Sequence, residues 1–592
     1  MTALSIAPPA TAAERQPPFT LLLGLAWLVA VAQLLSTCWG ASAVTLPDAD
    51  DAMRLVQWRA WLAGQGWYDL YVARLAPPGG YDSHWSRLID AGLAGLFLAF
   101  RPFVGPEMAE RLTLVLWPML WLLPAIGGVA AIAWRIGGRE AALLTLLLAA
   151  FSLPAFQQFR PGRIDHHNLH LALSILAVAA ACWSESWRPA PIAAGLLTGL
   201  ALAIGLESLP FLAVAGAIFA IRFVIQPDAA GPLAQYGIAT LTAVLVAFLV
   251  SVAPERWTLS VCDAIAINST MAVAAGALGL VLASRAGGCG VWLRLAAVTM
   301  AGLAAIAVFV AFEPRCLGGP FGLVDPAIGP AWIDHVAEVQ PLTRMMRESL
   351  STGLMTLVFP GIALAAMLAL VPRRGDLGVL TVCAAFLVAF VMTLMVVKAF
   401  SYAVWFGLPL VAAAAAAIFV RFRVGLVSRV FATLLVTPTA LTLGVMAIAS
   451  AAGSEPLALN SAERQACVRK DRIAALARLP QGLVLANELE WGPYLLAWTP
   501  HAVFAAPYHR LSTIIVTAHA ALASPPVQAR QILSVNRIDY IIACGGRGPL
   551  GLDDAALASS LWSRLQQGDV PGWIEPIVLP GDQPFTVYRV MR

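Results

Sequence analysis

Charged side chains are scarce in this chain. Asp, Glu, Lys and Arg make up 12% of its 592 residues, against about 25% in an ordinary soluble protein. That deficit excludes a water-exposed globular surface of the usual kind. The apolar share is 60%, and long apolar runs recur up to about residue 450. Only lipid accounts for so many of them. A basic stripe is lacking too. The net charge is +4 and the Arg residues are scattered between apolar runs, which leaves no footprint for a nucleic acid. The eight cysteines form no Cys-x-x-Cys, so a structural zinc site is not expected. Cys467 with Cys544, and Cys262 with Cys316, stand as disulfides or as free buried thiols. The amino terminus also lacks the compact pattern of a cleaved signal peptide. Its first apolar run is too long and more follow, so it reads as an uncleaved membrane helix.

Thirteen apolar runs qualify as spans, beginning near Phe19, Leu112, Ala141, Leu169, Ile192, Leu209, Leu233, Thr270, Val291, Thr352, Leu377, Tyr402 and Val430. Each is long enough, or nearly so, for a hydrocarbon core of about 30 Å. The run 88–104 is ambiguous, and the positive-inside rule arbitrates. If it lies flat on the outer surface, Arg135, Arg139, Arg188, Arg222, Arg285, Arg373, Arg374, Arg421, Arg423 and Arg429 all fall in the cytoplasm. If it spans, all of them flip outside. The first arrangement is expected.

The chain then divides into a cytoplasmic tail (1–18), a helical membrane domain (19–452) and an outer α/β domain (453–592). Outer loops fall at 42–111, 160–168 and 313–350. In the last domain a helix is expected over 462–479, with strands at 482–486 and 538–543. Pro and Gly punctuate the rest. The expected place is the plasma (inner) membrane, with the polar loops on the extracytoplasmic or periplasmic side.

Those loops carry the chemistry. The first contains Asp48, Asp50 and Asp51 in the run PDADDAMRL. Such a group repels itself unless a cation neutralises it, and hard oxygen ligands suit Mg²⁺ or Mn²⁺. Acidic residues at a helix start also serve as caps and dipole partners, and both readings stand. The second loop reads RPGRIDHHNLH, with Asp165, His166, His167 and His170 at the membrane surface. Asp165 and His167 can share one metal if the local chain is extended. Ionisable groups at such depth are functional by default. The third loop holds Glu338 within WIDHVAEVQPLTRMM, a weak signal alone. Lys398, at the outer end of a span in VVKAFSY, either holds a phosphate or snorkels.

Taken in order, these residues resemble the catalytic subunit of oligosaccharyltransferase, of the archaeal and bacterial single-subunit type within the GT-C glycosyltransferase superfamily. The Asp cluster followed by Arg54 and Arg59 resembles the first acidic motif. PPGGYDSHWSRLID resembles the end of that loop. IDHHN is similar to the second acidic motif in its Asp-His-His version. VAEVQP matches a Ser-Val-Ser-Glu-His-Gln-Pro motif at Glu338, Gln340 and Pro341. KAFSY resembles an Arg-Phe-x-x-Tyr segment, with Lys398 in place of Arg and Tyr402 matching. Lys keeps the charge but loses the bidentate fork. The motif that reads the Ser or Thr of an acceptor sequon has only a poor counterpart, ELEWGPYLL, with Glu490, Trp491, Gly492 and Tyr494.

The resemblance implies a GT-C fold of about thirteen membrane helices and a metal-dependent, inverting transfer from a polyprenyl phosphate or diphosphate sugar. Asp50, with Asp51 or Asp48, would bind Mg²⁺ or Mn²⁺ together with Asp165 and His167. Lys398 and Tyr402 would contact the donor phosphate. Glu338, Gln340, Glu490, Trp491 and Tyr494 would meet the acceptor, and Asp50 and Glu338 would take part in the chemistry. The acceptor is a protein, a lipid or a polysaccharide, and the poor sequon-reading motif favours the last two. A transporter or flippase is the alternative of another class. It would place ionisable groups at mid-membrane, often in internal repeats, and no repeat is seen here.

Overall fold

The computed structural model describes residues 18–44, 46–370, 375–453, 462–545 and 548–591. The expected cytoplasmic tail (Pro18 apart), Arg373 and Arg374, and most of the stretch opening the outer domain lie outside them. The helices are α1 (Phe19–Val44), α2 (Ala49–Leu62), α3 (Arg87–Ala150), α4 (His167–Cys182), α5 (Ala190–Ile204), α6 (Leu209–Ile225), α7 (Ala230–Ser251), α8 (Ile267–Ala283) and α9 (Val291–Phe312). They continue with α10 (Ile328–Ala331), α11 (Leu342–Glu348), α12 (Leu350–Leu370), α13 (Leu377–Met395), α14 (Phe400–Arg421), α15 (Leu426–Leu435) and α16 (Pro438–Ala451).

All thirteen apolar runs fall on these helices. Among the described residues, eight are long and apolar enough to cross a membrane, or nine if the bent pair α15–α16 is one span. The helices α4, α5 and α6 are apolar but shorter, at 16, 15 and 17 residues. The protein is therefore a multi-pass membrane protein, with a smaller number of full-length spanning helices than the sequence count.

The 64-residue α3 is not one rod. Gly105 and Gly138 break it at φ values of 78° and 74°, a region that a side chain disfavours and glycine does not. The first break ends the segment 88–104. That segment keeps one buried face, with Ile89 and Leu93, while Phe103 is 85% exposed. The second break separates Arg135 from Arg139, so two apolar runs meet at a turn.

At the centre lies α4, in which every residue except Leu176 is buried. Its neighbour α5 meets α7 through small residues. A Cβ on Gly199 would sit 2.3 Å from the Ala243 Cβ and 2.7 Å from its backbone carbon. Such contacts replace the hydrophobic drive that lipid cannot supply. At the rim, α9 buries only Arg294 and Ala301.

After residue 480 the chain builds a five-stranded mixed sheet in the order β4-β3-β5-β7-β6. Its strands are β3 (Leu483–Ala486), β4 (Ala502–Val503), β5 (Tyr540–Cys544), β6 (Ile574–Ile577) and β7 (Phe585–Val590). A two-stranded ribbon, β1 (Tyr71–Val72) and β2 (Tyr81–Asp82), lies in the first loop. The strands expected at 482–486 and 538–543 are β3 and β5, buried along their whole length. The helix expected over 462–479 is instead three short pieces, Ala462–Cys467, Lys470–Ile473 and a 3-10 turn Ala474–Arg478. Cys467 is bridged to Cys544 there, and Cys262 to Cys316 elsewhere.

The first loop and the sheet are joined. Val503 N donates to Arg74 O at 2.8 Å and Ala76 N donates to Val503 O at 2.7 Å, extending the sheet past β4. The Arg74 guanidinium donates to the carbonyls of Leu496, Thr499 and His501. Arg59 pairs with Glu110 and donates to Ala497 O.

Candidate active site

The start of α2 sets the first half of the site. Asp48 caps the helix, its side chain accepting from Asp50 N at 3.2 Å. The capping and the ligand readings of this acidic run are thus divided among its residues. Asp51 is fully buried and turns away from solvent. Its Oδ1 accepts from Ile164 N at 2.8 Å and Asp165 N at 3.0 Å. It thereby holds the second loop rather than joining the ligand group. Arg163 threads between the acids, at 2.9 Å from Asp48, 3.5 Å from Asp51 and 2.6 Å from Asp165. Asp50 makes no ion pair among the described residues.

The second loop is pinned from both ends. Asn168 donates to Arg163 O at 2.9 Å, and Asp165 Oδ1 accepts from His167 N at 3.0 Å. This brings one ligand atom each from Asp50, Asp165 and His167 within 4.8 Å of one another. The His167 ring is oriented by Glu207, 3.1 Å from Nδ1, which leaves Nε2 turned toward Asp165 at 3.7 Å. A carboxylate behind a histidine fixes its tautomer and raises its basicity. The second oxygen of Glu207 meets His166 Nε2 at 3.2 Å. Lys398 reaches both Glu207 and Glu338 at 3.5 Å. His170 does not face the group; its Nδ1 lies 2.6 Å from Ser208 Oγ.

The electrostatics follow from this crowding. Burial, then Asp48 and Asp165 nearby, raise the Asp50 carboxyl well above the usual range. Burial alone would raise Asp165 too, but Arg163, His167 and His166 together outweigh it and hold it ionised. Two carboxylates and an imidazole, one of the acids unpaired, are a donor set that fits a divalent cation.

A cavity of about 900 Å³ opens from this group toward the sheet, and Asp48, Glu338, Lys398, Glu490, Trp491 and Tyr494 are among its walls. Trp491 and Tyr494 are buried, and the Tyr494 hydroxyl donates to Leu46 O at 3.1 Å. Gln340 folds back onto its own loop, donating to Ile333 O and Val336 O. Tyr402 stacks on Phe211 with ring centroids 4.5 Å apart. Glu207 is the one member of the group that sequence reasoning missed. It stands in the four-residue loop between two apolar runs, and its being ionisable at a span's outer end was the available signal.

No protein-family model matches the sequence, and no curated protein matches it. Solved structures do. The archaeal oligosaccharyltransferase AglB from Archaeoglobus fulgidus, in complex with an inhibitory peptide and a dolichol-phosphate, superposes with a TM-score of 0.68 at 13% identity, over 94% of this chain and 79% of that one. The same enzyme tethered to an acceptor peptide containing the NVT sequon gives 0.64 at 13% identity, over 94% and 79%. Its complex with Zn and sulfate gives 0.63 at 12%, over 94% and 78%. The chain thus has the fold of a GT-C oligosaccharyltransferase over nearly its whole length.

Proposed function

We propose that the protein is a membrane glycosyltransferase that moves a sugar or glycan from a polyprenyl phosphate or diphosphate to an acceptor at the outer membrane face. The observation that carries this reading is the meeting of Asp50, Asp165 and His167 at one mouth of a cavity that Lys398 and Glu338 also line. A donor of that kind agrees with the dolichol-phosphate held by the A. fulgidus enzyme.

Asp50, Asp165 and His167 would hold Mg²⁺ or Mn²⁺, which when bound supplies Lewis-acid neutralisation of charge on the leaving phosphate. As the anomeric carbon gains oxocarbenium character, negative charge gathers on the leaving oxygens. Lys398, held by Glu207 and Glu338, places a fixed positive charge there. Tyr402, one helical turn beyond, borders the phosphate. Glu338 contacts the acceptor nucleophile, either orienting it or taking its proton. Direct attack inverts the anomeric centre. Thirteen crossings, the division at 18 and 452, and an outward-facing site at the plasma membrane belong to the same reading. Two disulfides support an oxidising side for their segments.

A second reading concerns the acceptor. Tyr494, a candidate for meeting a peptide, spends its hydroxyl on Leu46, and Gln340 bonds its own loop. That arrangement favours a lipid or polysaccharide acceptor over an Asn sequon.

The test is purified protein with a pool of lipid-linked sugars and Mn²⁺ or Mg²⁺, following release of lipid phosphate. Release is expected to stop with chelator and in Asp165→Ala. Release that survives both would sink the metal site and move the transporter reading up.

A further inference from the structure

A second set of ligand atoms converges outside the group just described. His84 comes from the end of the first loop, Asp263 from the loop between α7 and α8, and His509 from the tail. One ligand atom of each lies within 4.8 Å of the others. Three segments distant in sequence therefore meet at one point, where the sheet region faces the membrane helices.

The geometry is centred on Asp263 Oδ2. His509 Nε2 lies 2.7 Å from it and His84 Nδ1 3.8 Å. Arg510 grips the same carboxylate from behind, with Nε 2.8 Å from Oδ2 and Nη2 2.8 Å from Oδ1. Phe321 closes one side, edge-on to His509 at 5.4 Å. An Arg–Asp–His clasp would explain Arg510, Asp263 and His509 without any ion. It does not explain His84, whose Nδ1 is buried with no hydrogen-bond partner. Burial keeps that imidazole well below its ordinary pKa despite the facing carboxylate, so it is neutral, the form a metal binds.

We propose that His84, Asp263 and His509 bind a divalent transition-metal ion of the Zn²⁺ type, which fastens the carboxy-terminal sheet region to the membrane helices. Two imidazoles and one carboxylate match zinc, with metal–ligand bonds of about 2.0–2.2 Å and neighbouring ligand atoms roughly 3.3 Å apart in a tetrahedron. The observed 3.8 Å and 2.7 Å lie on either side of that spacing. Water takes the fourth place. Arg510 orients the carboxylate from outside, as such partners do. The donor set also separates this site from the oxygen-rich Asp50 group, which suits harder cations. Trp85, next to His84, packs on His166 at 5.9 Å and on the Arg54 guanidinium at 4.7 Å. The ion would thus set Trp85 against the first site.

The test is stoichiometry, independent of any activity. Full-length protein in detergent is stripped with chelator and dialysed against micromolar Zn²⁺, and bound zinc is counted in wild type, Asp165→Ala, His84→Phe, His509→Gln and the Asp165→Ala/His84→Phe pair. His84→Phe loses no hydrogen bond at Nδ1, so the apo variant should melt where stripped wild type melts. The expected result is one equivalent fewer in His84→Phe and in His509→Gln than in wild type, loss of the zinc-induced rise in Tm in both, and persistence of the His84-dependent equivalent in Asp165→Ala. Equal zinc in His84→Phe and wild type would overturn the second site. Failure of the first site would appear only in the Asp165→Ala arm.

Discussion

Glu207 joins His166, His167 and Lys398 through two oxygens. Its removal should therefore be felt at the ligand histidine rather than in the fold. Glu207→Gln keeps an oxygen for His167 but drops the charge. It is expected to cut metal affinity and donor turnover by about 10–100-fold, the usual effect of losing such a partner, with Tm unchanged. Metal titration followed by turnover of a lipid-linked sugar checks both. Asp51 predicts the opposite split. Asp51→Ala leaves the buried Ile164 and Asp165 N–H groups without their acceptor, at about 1–3 kcal/mol each. Asp51→Asn retains Oδ1 and should lose much less. Thermal melts of the two variants compare them directly. The dense runs PDADD and IDHH drew attention to Asp50, Asp165 and His167 because like charges so close need a reason. Glu207 stands alone between apolar runs, and only the fold brings it to them. Nor does local sequence say that Asp51 faces inward while Asp50 faces the histidine. That depends on where α2 lands against the second loop.

Among elements, the contact of α5 with α7 is decided by glycine. Gly199→Leu would drive a side chain into Ala243, backbone included. It is expected to lower yield and Tm sharply. Gly302→Ala in the rim helix α9, where nothing lies within 4 Å, is expected to leave both unchanged. Size-exclusion profiles and melts in detergent check the pair. Helices were legible wherever lipid forces long apolar runs. Their ends were less so, since the turns at Gly105 and Gly138 sit within continuous helix-like sequence. In the sheet, β3 and β5 were legible as short buried apolar runs. The others were not. β4 has two residues, and β6 is half exposed with Pro576 within it. The helix expected over 462–479 ignored Cys467, whose bridge to Cys544 and the turn after it stop the helix.

For the whole molecule, the bridge Cys467–Cys544 closes a loop with a separation of 77 residues. Replacing both with Ser is expected to destabilise the carboxy-terminal region by about 2–4 kcal/mol, read as a lower-temperature transition that reductant also produces in wild type. The proposed topology predicts that a phosphatase fused after the last residue is active outside the cell and a fluorescent reporter there is dark. The reverse pattern would place the site inside.

The join between Arg74 and the sheet also sets a timetable. Arg74 and His501 are 427 positions apart. At about 5–20 residues per second of synthesis, the first loop waits roughly 20–90 s for its partner strand to exist. Through that interval the ribbon near Leu75 has an open edge, and its Arg74 has none of its three carbonyls. Unpaired edges recruit neighbours, so the growing chain needs something else to cover this loop until nearly its last hundred residues are made.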